Sequence, residues 1–340
     1  MSPAVRLLAV LATASCCACS GAAWEPIEGA PSEPPPPVPG KAPTSPATDD
    51  SFATTRDRLV DQWLALTPSW GREAGLHRYD GKIADYRPKG IARYRRWLAA
   101  AEAALAAFDP ATLGTEDALD LAVLRSKLAL DRFAVDEMAT PETQPLFYAE
   151  LFDVSGYLVF DYAPIEWRVR SLVSHERAAL RQIDYLVSNL RPTLSRPIVE
   201  TAIGVYEGYR DYLLDDVPKA VAEVADPQLL QRFEESNSAL AKRAGEVVVA
   251  LRQQFLPRAD NTSHVLGPKR FLRFVAAQEG TDVDLDDFEH MAEVDLERNK
   301  RAYLELSMRT QLTRPAADQL LRAARDMAVE ARAFVVNEKL

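Results

Sequence analysis

The chain has 340 residues, with 50 Asp and Glu against 40 Lys and Arg, for a formal net charge of −10. That acidic balance, with no glycine-rich phosphate loop and no basic and aromatic stripe, speaks against nucleic acid as a partner. Apolar residues make up 47% of the chain, enough for a sizeable core, and all three cysteines precede residue 20, so no disulfide framework holds the body.

The amino terminus carries the first signal. Arg6 is the only early charge, the apolar run Leu7-Leu8-Ala9-Val10-Leu11-Ala12 follows, and Cys16, Cys17 and Cys19 then precede Ser20-Gly21. A basic start, a short apolar core and small residues at its end describe an export signal over residues 1–19. The apolar run is far shorter than the ~20 residues of a membrane span. A cysteine at the cleavage point predicts a lipid-modified mature end, as in bacterial lipoproteins, with Cys19 favoured and Cys16 and Cys17 as alternatives. Plain secretory cleavage near Ala18 or Ala22 is the other reading. The expected location is the periplasmic face of the envelope, at the outer membrane, with the membrane reached through the lipid. Residues 20–50, with the run Pro34-Pro35-Pro36-Pro37 among Gly, Ser, Thr and Ala, read as an extended tether.

From residue 51 to 340 the pattern is helical throughout, so the fold class is all-α, an array of long antiparallel helices. The chain length allows one large domain or two helical subdomains. Thr54 to Thr67 stops at Pro68. Gly90 to Phe108 is alanine-rich and ends at Asp109-Pro110. Thr115 reads as the N-cap of the next helix. Pro164 opens a long helix with Val169, Leu172, Leu180, Ile183 and Val187 on its apolar stripe, running to Arg191-Pro192. Ser195 or Arg196 starts another that carries Tyr206, Tyr209 and Tyr212. Asp226-Pro227 starts a helix reaching Phe255-Leu256. Two more cover Thr281 to Arg309 and Thr313 to about Asn337.

Candidate chemistry is sparse. His175-Glu176 begins a His-Glu-x-x-His zinc motif, but Ala179 stands where the second imidazole must be. His175 therefore reads as a surface residue of its helix. Asp282, Asp284, Asp286 and Glu293 match the acidic positions of a calcium loop, yet Asp287 occupies the glycine position, so an acidic helix start capped by Thr281 is the better reading. His290, Glu293 and Glu297 stand one turn apart and read as a solvated face. The tyrosines at 206, 209 and 212 suit a core seam more than a substrate groove. His264 lies in the loop Asn261-Thr262-Ser263-His264 and reads as having no carboxylate partner, and no Ser or Cys nucleophile has an elbow around it.

Longer stretches carry a resemblance. Pro68-Ser69-Trp70-Gly71-Arg72-Glu73-Ala74-Gly75-Leu76-His77-Arg78-Tyr79-Asp80-Gly81 resembles the opening signature of the bacterial family catalogued as domain of unknown function 885. Pro145-Leu146-Phe147-Tyr148-Ala149-Glu150-Leu151-Phe152, Tyr162-Ala163-Pro164 and Ala292-Glu293-Val294-Asp295-Leu296-Glu297-Arg298-Asn299-Lys300 are similar to it as well. The resemblance implies a helical fold related to zinc metallopeptidases. Members of that family carry a His-Glu-x-x-x-Gly-His element beyond the region matched here. Zinc is thus expected only for full-length members, and no catalytic, cofactor or metal residue carries over to this chain. The expectation is the N-terminal helical part of such a protein, truncated and not itself hydrolytic. The alternative is a free-standing periplasmic helical module that binds peptides or proteins.

Overall fold

The computed structural model describes residues 51–309 and 316–337. The export signal, Cys19 and the tether at 20–50 lie outside the described residues. Within them the chain is all-α, and extended pairing is limited to a single bridge, Ser195 to Asp260. No helix is long and apolar enough to cross a membrane among the described residues. Two compact units divide between Asp282 and Val283.

In the first unit, α1 (Phe52–Leu66) begins where the Ser51 hydroxyl accepts the Thr54 N–H. Pro68 follows the end of α1 and opens α2 (Pro68–Glu73), where its missing N–H costs nothing. Next come α3 (Pro88–Ala106), α4 (Thr115–Arg132) and the short α5 (Thr140–Thr143), with a wider π-type turn at Phe133–Glu137 between the last two. Gly114 holds the N-cap position of α4, and Thr115, expected there, is the first helical residue. Two 3-10 segments, Pro145–Leu151 and Ser155–Tyr157, lead to α6 (Ile165–Leu180) and α7 (Ile183–Asn189). Then come α8 (Arg196–Ala220), α9 (Pro227–Ala250) and α10 (Gly267–Glu279). Asp226 caps α9 by accepting the N–H groups of Gln228 and Leu229 at 3.0 and 3.1 Å.

The single helix expected from Pro164 to Arg191 is in fact two. The chain breaks at Gln182, whose side-chain oxygen accepts the Tyr86 N–H at 2.7 Å while its amide donates to the Ala84 carbonyl at 3.0 Å. This clamp on a loop about a hundred residues away satisfies backbone groups that no helix or sheet would. Helix α10 was not expected at all. It ends with Gly280 in the left-handed region, φ 68°, where glycine is the residue of least strain.

Two apolar clusters form the core of this unit. One joins α1, α3 and α4 through Leu59, Trp63, Leu98, Leu105, Leu121 and Leu128. The other joins α6 to α9 with the 3-10 segments through Tyr148, Phe152, Leu172, Tyr206, Phe233 and Leu240. In the second unit, α11 (Leu285–Arg309) starts four residues later than expected. Its cap is Asp284, whose Oδ1 accepts the N–H groups of Asp286 and Asp287, and not Thr281. Helix α12 (Leu320–Asn337) completes it. Both helices expose large apolar side chains, among them Leu296, Tyr303 and Met308 on α11 and Met327, Phe334 and Val336 on α12.

Candidate functional site

A cavity of about 560 Å3 opens in the first unit where elements of the two core clusters face each other. Trp70 of α2, Tyr94 of α3, Phe147 of the first 3-10 segment and Tyr209 of α8 form aromatic walls, and Tyr86 closes one end. Helix α3 approaches the Asp85 loop so closely that a Cβ on Gly90 would lie 2.1 Å from the Asp85 carbonyl oxygen. Only glycine fits there.

Five carboxylates line the same cavity: Glu73, Asp85, Asp131, Glu150 and Asp153. Two are neutralised locally. Asp85 pairs with Arg87 at 2.8 Å and Arg93 at 3.4 Å, while Asp131 accepts the Tyr94 hydroxyl at 2.8 Å and meets Lys127 at 2.5 Å. The other three have no Lys or Arg nitrogen at ion-pair distance among the described residues. Glu150 accepts the Ala84 N–H at 2.8 Å, and Asp153 accepts the Ser155 N–H at 3.0 Å. Partial burial raises the pKa of Glu73; Arg72 partly offsets this, and repulsion from Asp153 and Glu150 adds to it. Lys127 lies over Trp63 and Trp70 at 4.9 and 5.5 Å, and those two rings are 5.8 Å apart. Aromatic walls with an excess of negative charge suit a guest that is partly apolar and cationic.

Of the residues weighed for chemistry, Tyr209 alone reaches this cavity, while Trp70, Glu73, Phe147 and Glu150 come to it from two of the stretches that carry the family resemblance. Tyr206 is fully buried and donates to the Pro145 carbonyl at 2.7 Å, and Tyr212 is half-buried against the core. His175 is not a surface residue. It has 0% exposure, covered by the 3-10 segments through Tyr157, as does Glu176, over which α9 packs through Ser236. Its Nδ1 stands 3.4 Å from the Tyr157 hydroxyl, and burial pushes its pKa down to about 3. Glu176 meets the Ser236 hydroxyl, and burial pushes its pKa up to about 8. The two side chains have different partners and make no shared site.

A Ser–His contact that sequence reasoning missed joins Ser195 Oγ to His264 Nδ1 at 2.7 Å. Ser195 is 1% exposed, and Asp260 spends its Oδ1 on the Thr262 and Ser263 N–H groups at 2.9 and 2.7 Å. The pair pins the 259–264 loop beside the bridge between Ser195 and Asp260, where the Asp260 charge acts on His264 without a hydrogen bond to it among the described residues. His290, Glu293 and Glu297 are all exposed on α11. No three His, Cys, Asp or Glu side chains come together to hold a metal ion among the described residues, and with Ala179 at the expected ligand position the residues present do not fit zinc.

Comparison with known proteins adds two findings. A family model described as a bacterial protein of unknown function (DUF885) matches residues 68–339, and no curated protein matches. A solved structure of a candidate lipoprotein of unknown function from Shewanella oneidensis has a similar fold, with a TM-score of 0.64 and 17% identity. The match covers 85% of this chain and 58% of that one, so the chain spans less than two thirds of that protein's length.

Proposed function

Because the chain belongs to the DUF885 family of bacterial proteins of unknown function, we propose that it is an exported lipoprotein of the envelope that binds peptides without hydrolysing them. On this reading its helical body is the N-terminal, peptide-binding part of a zinc-metallopeptidase-like architecture. The observation that carries it is the aromatic cavity with three unneutralised carboxylates, Glu73, Glu150 and Asp153. A peptide amino terminus supplies the complementary ammonium, and an adjacent apolar side chain fits the walls of Trp70, Phe147 and Tyr209. Hydrolysis by a metal-bound water would need a set of ligands, and no three His, Cys, Asp or Glu side chains come together for one among the described residues.

The exposed apolar faces of α11 and α12 support the view that this body belongs to a larger fold. The two apolar clusters of the first unit support the rival view of a free-standing binding module. Both views share the cavity and its test. Calorimetric titration with short peptides beginning with Phe should show binding that N-acetylation of the peptide weakens about tenfold, a loss of roughly 1.4 kcal/mol. Glu73→Gln should reproduce that loss with free peptides and leave acetylated ones unaffected. Equal affinity for both peptide forms would remove the cationic reading, and cleavage products in the presence of zinc would overturn the non-hydrolytic one.

Anchoring is tested separately. Cys19→Ala should move the protein from the membrane to the soluble envelope fraction. Unchanged fractionation would transfer the lipid to Cys16 or Cys17, or remove it from the account.

A further inference from the structure

A separate concavity of about 300 Å3 lies between α6 and α9. Arg170, Ser174, Arg177 and Arg181 stand at positions i, i+4, i+7 and i+11, which places them on one stripe of α6 and its C-terminal residue. Arg232 of α9 closes the opposite side, and Val173 and Leu229 form the apolar part of the wall. No carboxylate lines the pocket, although the chain carries 50 acidic residues against 40 basic ones.

The guanidinium partners are few. Arg170 reaches Asp226 at 3.6 Å across a partly exposed gap, and Arg232 Nε donates to the Gln228 carbonyl of its own helix at 3.1 Å. Arg177 and Arg181 form no ion pair among the described residues. Arg177 and Arg181 are like charges one turn apart, an arrangement that costs a few tenths of a kcal/mol and that an anion joining them relieves.

The number of donors narrows the class of anion. One carboxylate satisfies one guanidinium fork through its two oxygens. Four arginines lining one pocket offer far more N–H groups than a carboxylate can accept. A phosphate group carries up to two charges and three or more acceptor oxygens, and planar guanidinium forks match its geometry. We propose that the α6–α9 pocket binds a phosphate group, either free or carried on a lipid headgroup.

The test uses the full chain with Cys16, Cys17 and Cys19 replaced by serine, so that no acyl anchor contributes. Calorimetric titration with sodium phosphate at low ionic strength should show saturable binding that weakens as chloride is raised. In parallel, the protein is sedimented with vesicles of phosphatidylglycerol and phosphatidylcholine in equal parts, and with vesicles of phosphatidylcholine alone. The double variant Arg177→Gln, Arg232→Gln alters exposed side chains, and its circular dichroism and melting temperature should equal those of the parent. A loss of phosphate binding of at least tenfold in that variant, with no preference for anionic vesicles in the parent, identifies free phosphate as the source. A preference for the anionic vesicles that the variant abolishes identifies the headgroup. Phosphate and vesicle behaviour that is the same in parent and variant overturns the proposal.

Discussion

Replacing Glu176 with glutamine should raise the melting temperature at pH 8 by roughly 10 °C and leave it almost unchanged at pH 4.5. The carboxyl group has 0% exposure, and burial moves its pKa from an ordinary 4.5 to about 8. The folded chain therefore holds a proton that the unfolded chain releases. Stability from this group is complete below pH 4.5 and is lost as pH rises to about 8, by roughly 3–5 kcal/mol. Hydrogen bonding agrees with a protonated acid. The Ser236 hydroxyl lies 3.0 Å from the Arg232 carbonyl as well as against Glu176, and its one hydrogen cannot serve both. A protonated Glu176 resolves the conflict by donating to Ser236 Oγ, a role that the amide of glutamine also fills.

His175 works in the opposite direction. With its pKa pushed from 6.5 down to about 3, it stays neutral in the fold while the unfolded chain takes up a proton, so stability falls as pH drops from 6.5 towards 3. Between about pH 4.5 and 6.5 the two slopes oppose each other, and above 6.5 Glu176 acts alone. Melting temperatures measured from pH 4 to 9 check this. An equal gain from Glu176→Gln at pH 4.5 and pH 8 would refute it.

Arg56→Met should destabilise the first unit by about 3–5 kcal/mol, because it removes the nearest cation from a buried carboxylate. Asp120 is 0% exposed, and Arg56 reaches it at 3.1 Å while also meeting Asp57 at 2.9 Å and Asp117 at 3.2 Å. The cost comes from removing a charged partner of a buried carboxylate and not from a large net gain of the pair. Arg56→Met combined with Asp120→Leu should therefore recover most of the loss. Urea unfolding of the single and double variants decides the matter, and a double variant no more stable than the single one would show that the ion pair itself carries the energy.

Much of the fold was legible where the chain punctuates itself. Pro68 marks the junction of the first two helices, and Asp226-Pro227 opens α9 with a side-chain cap and a proline in the first turn. The break between α6 and α7 was not legible, because Arg181-Gln182 contains no local breaker. A tertiary hydrogen bond from Gln182 to the Tyr86 loop interrupts the helix there. Thr115 failed as a cap for a related reason: β-region backbone at Gly114 starts the helix one residue earlier than a side-chain preference suggests.

The misplacement of His175 is more instructive. Val169, Leu172, Glu176 and Ala179 share one helical face, and the apolar stripe passes directly through Glu176. That register signals burial at Glu176, next to the His175 that was read as a surface residue. The cavity as an assembled site was beyond reach, although two family-like stretches supply Trp70, Glu73, Phe147 and Glu150 to it. Its walls come from α2, α3, α8 and the 3-10 segments, and no local pattern links Trp70 to Tyr209. Of the tyrosine series, only the residue facing the gap between the two clusters lines it.

The arrangement of Trp63, Trp70 and Lys127 gives the molecule a built-in optical reporter. Trp70 forms part of the cavity wall, and the ammonium of Lys127, tied to Asp131, stands against both indoles. Indole emission shifts with the electric field across the ring. A guest that draws on Asp131 or displaces Lys127 therefore changes the colour of the protein's own light. Trp167, 66% exposed on α6, emits from a watery setting and supplies an internal reference. Occupancy of the cavity can be followed without attaching any dye.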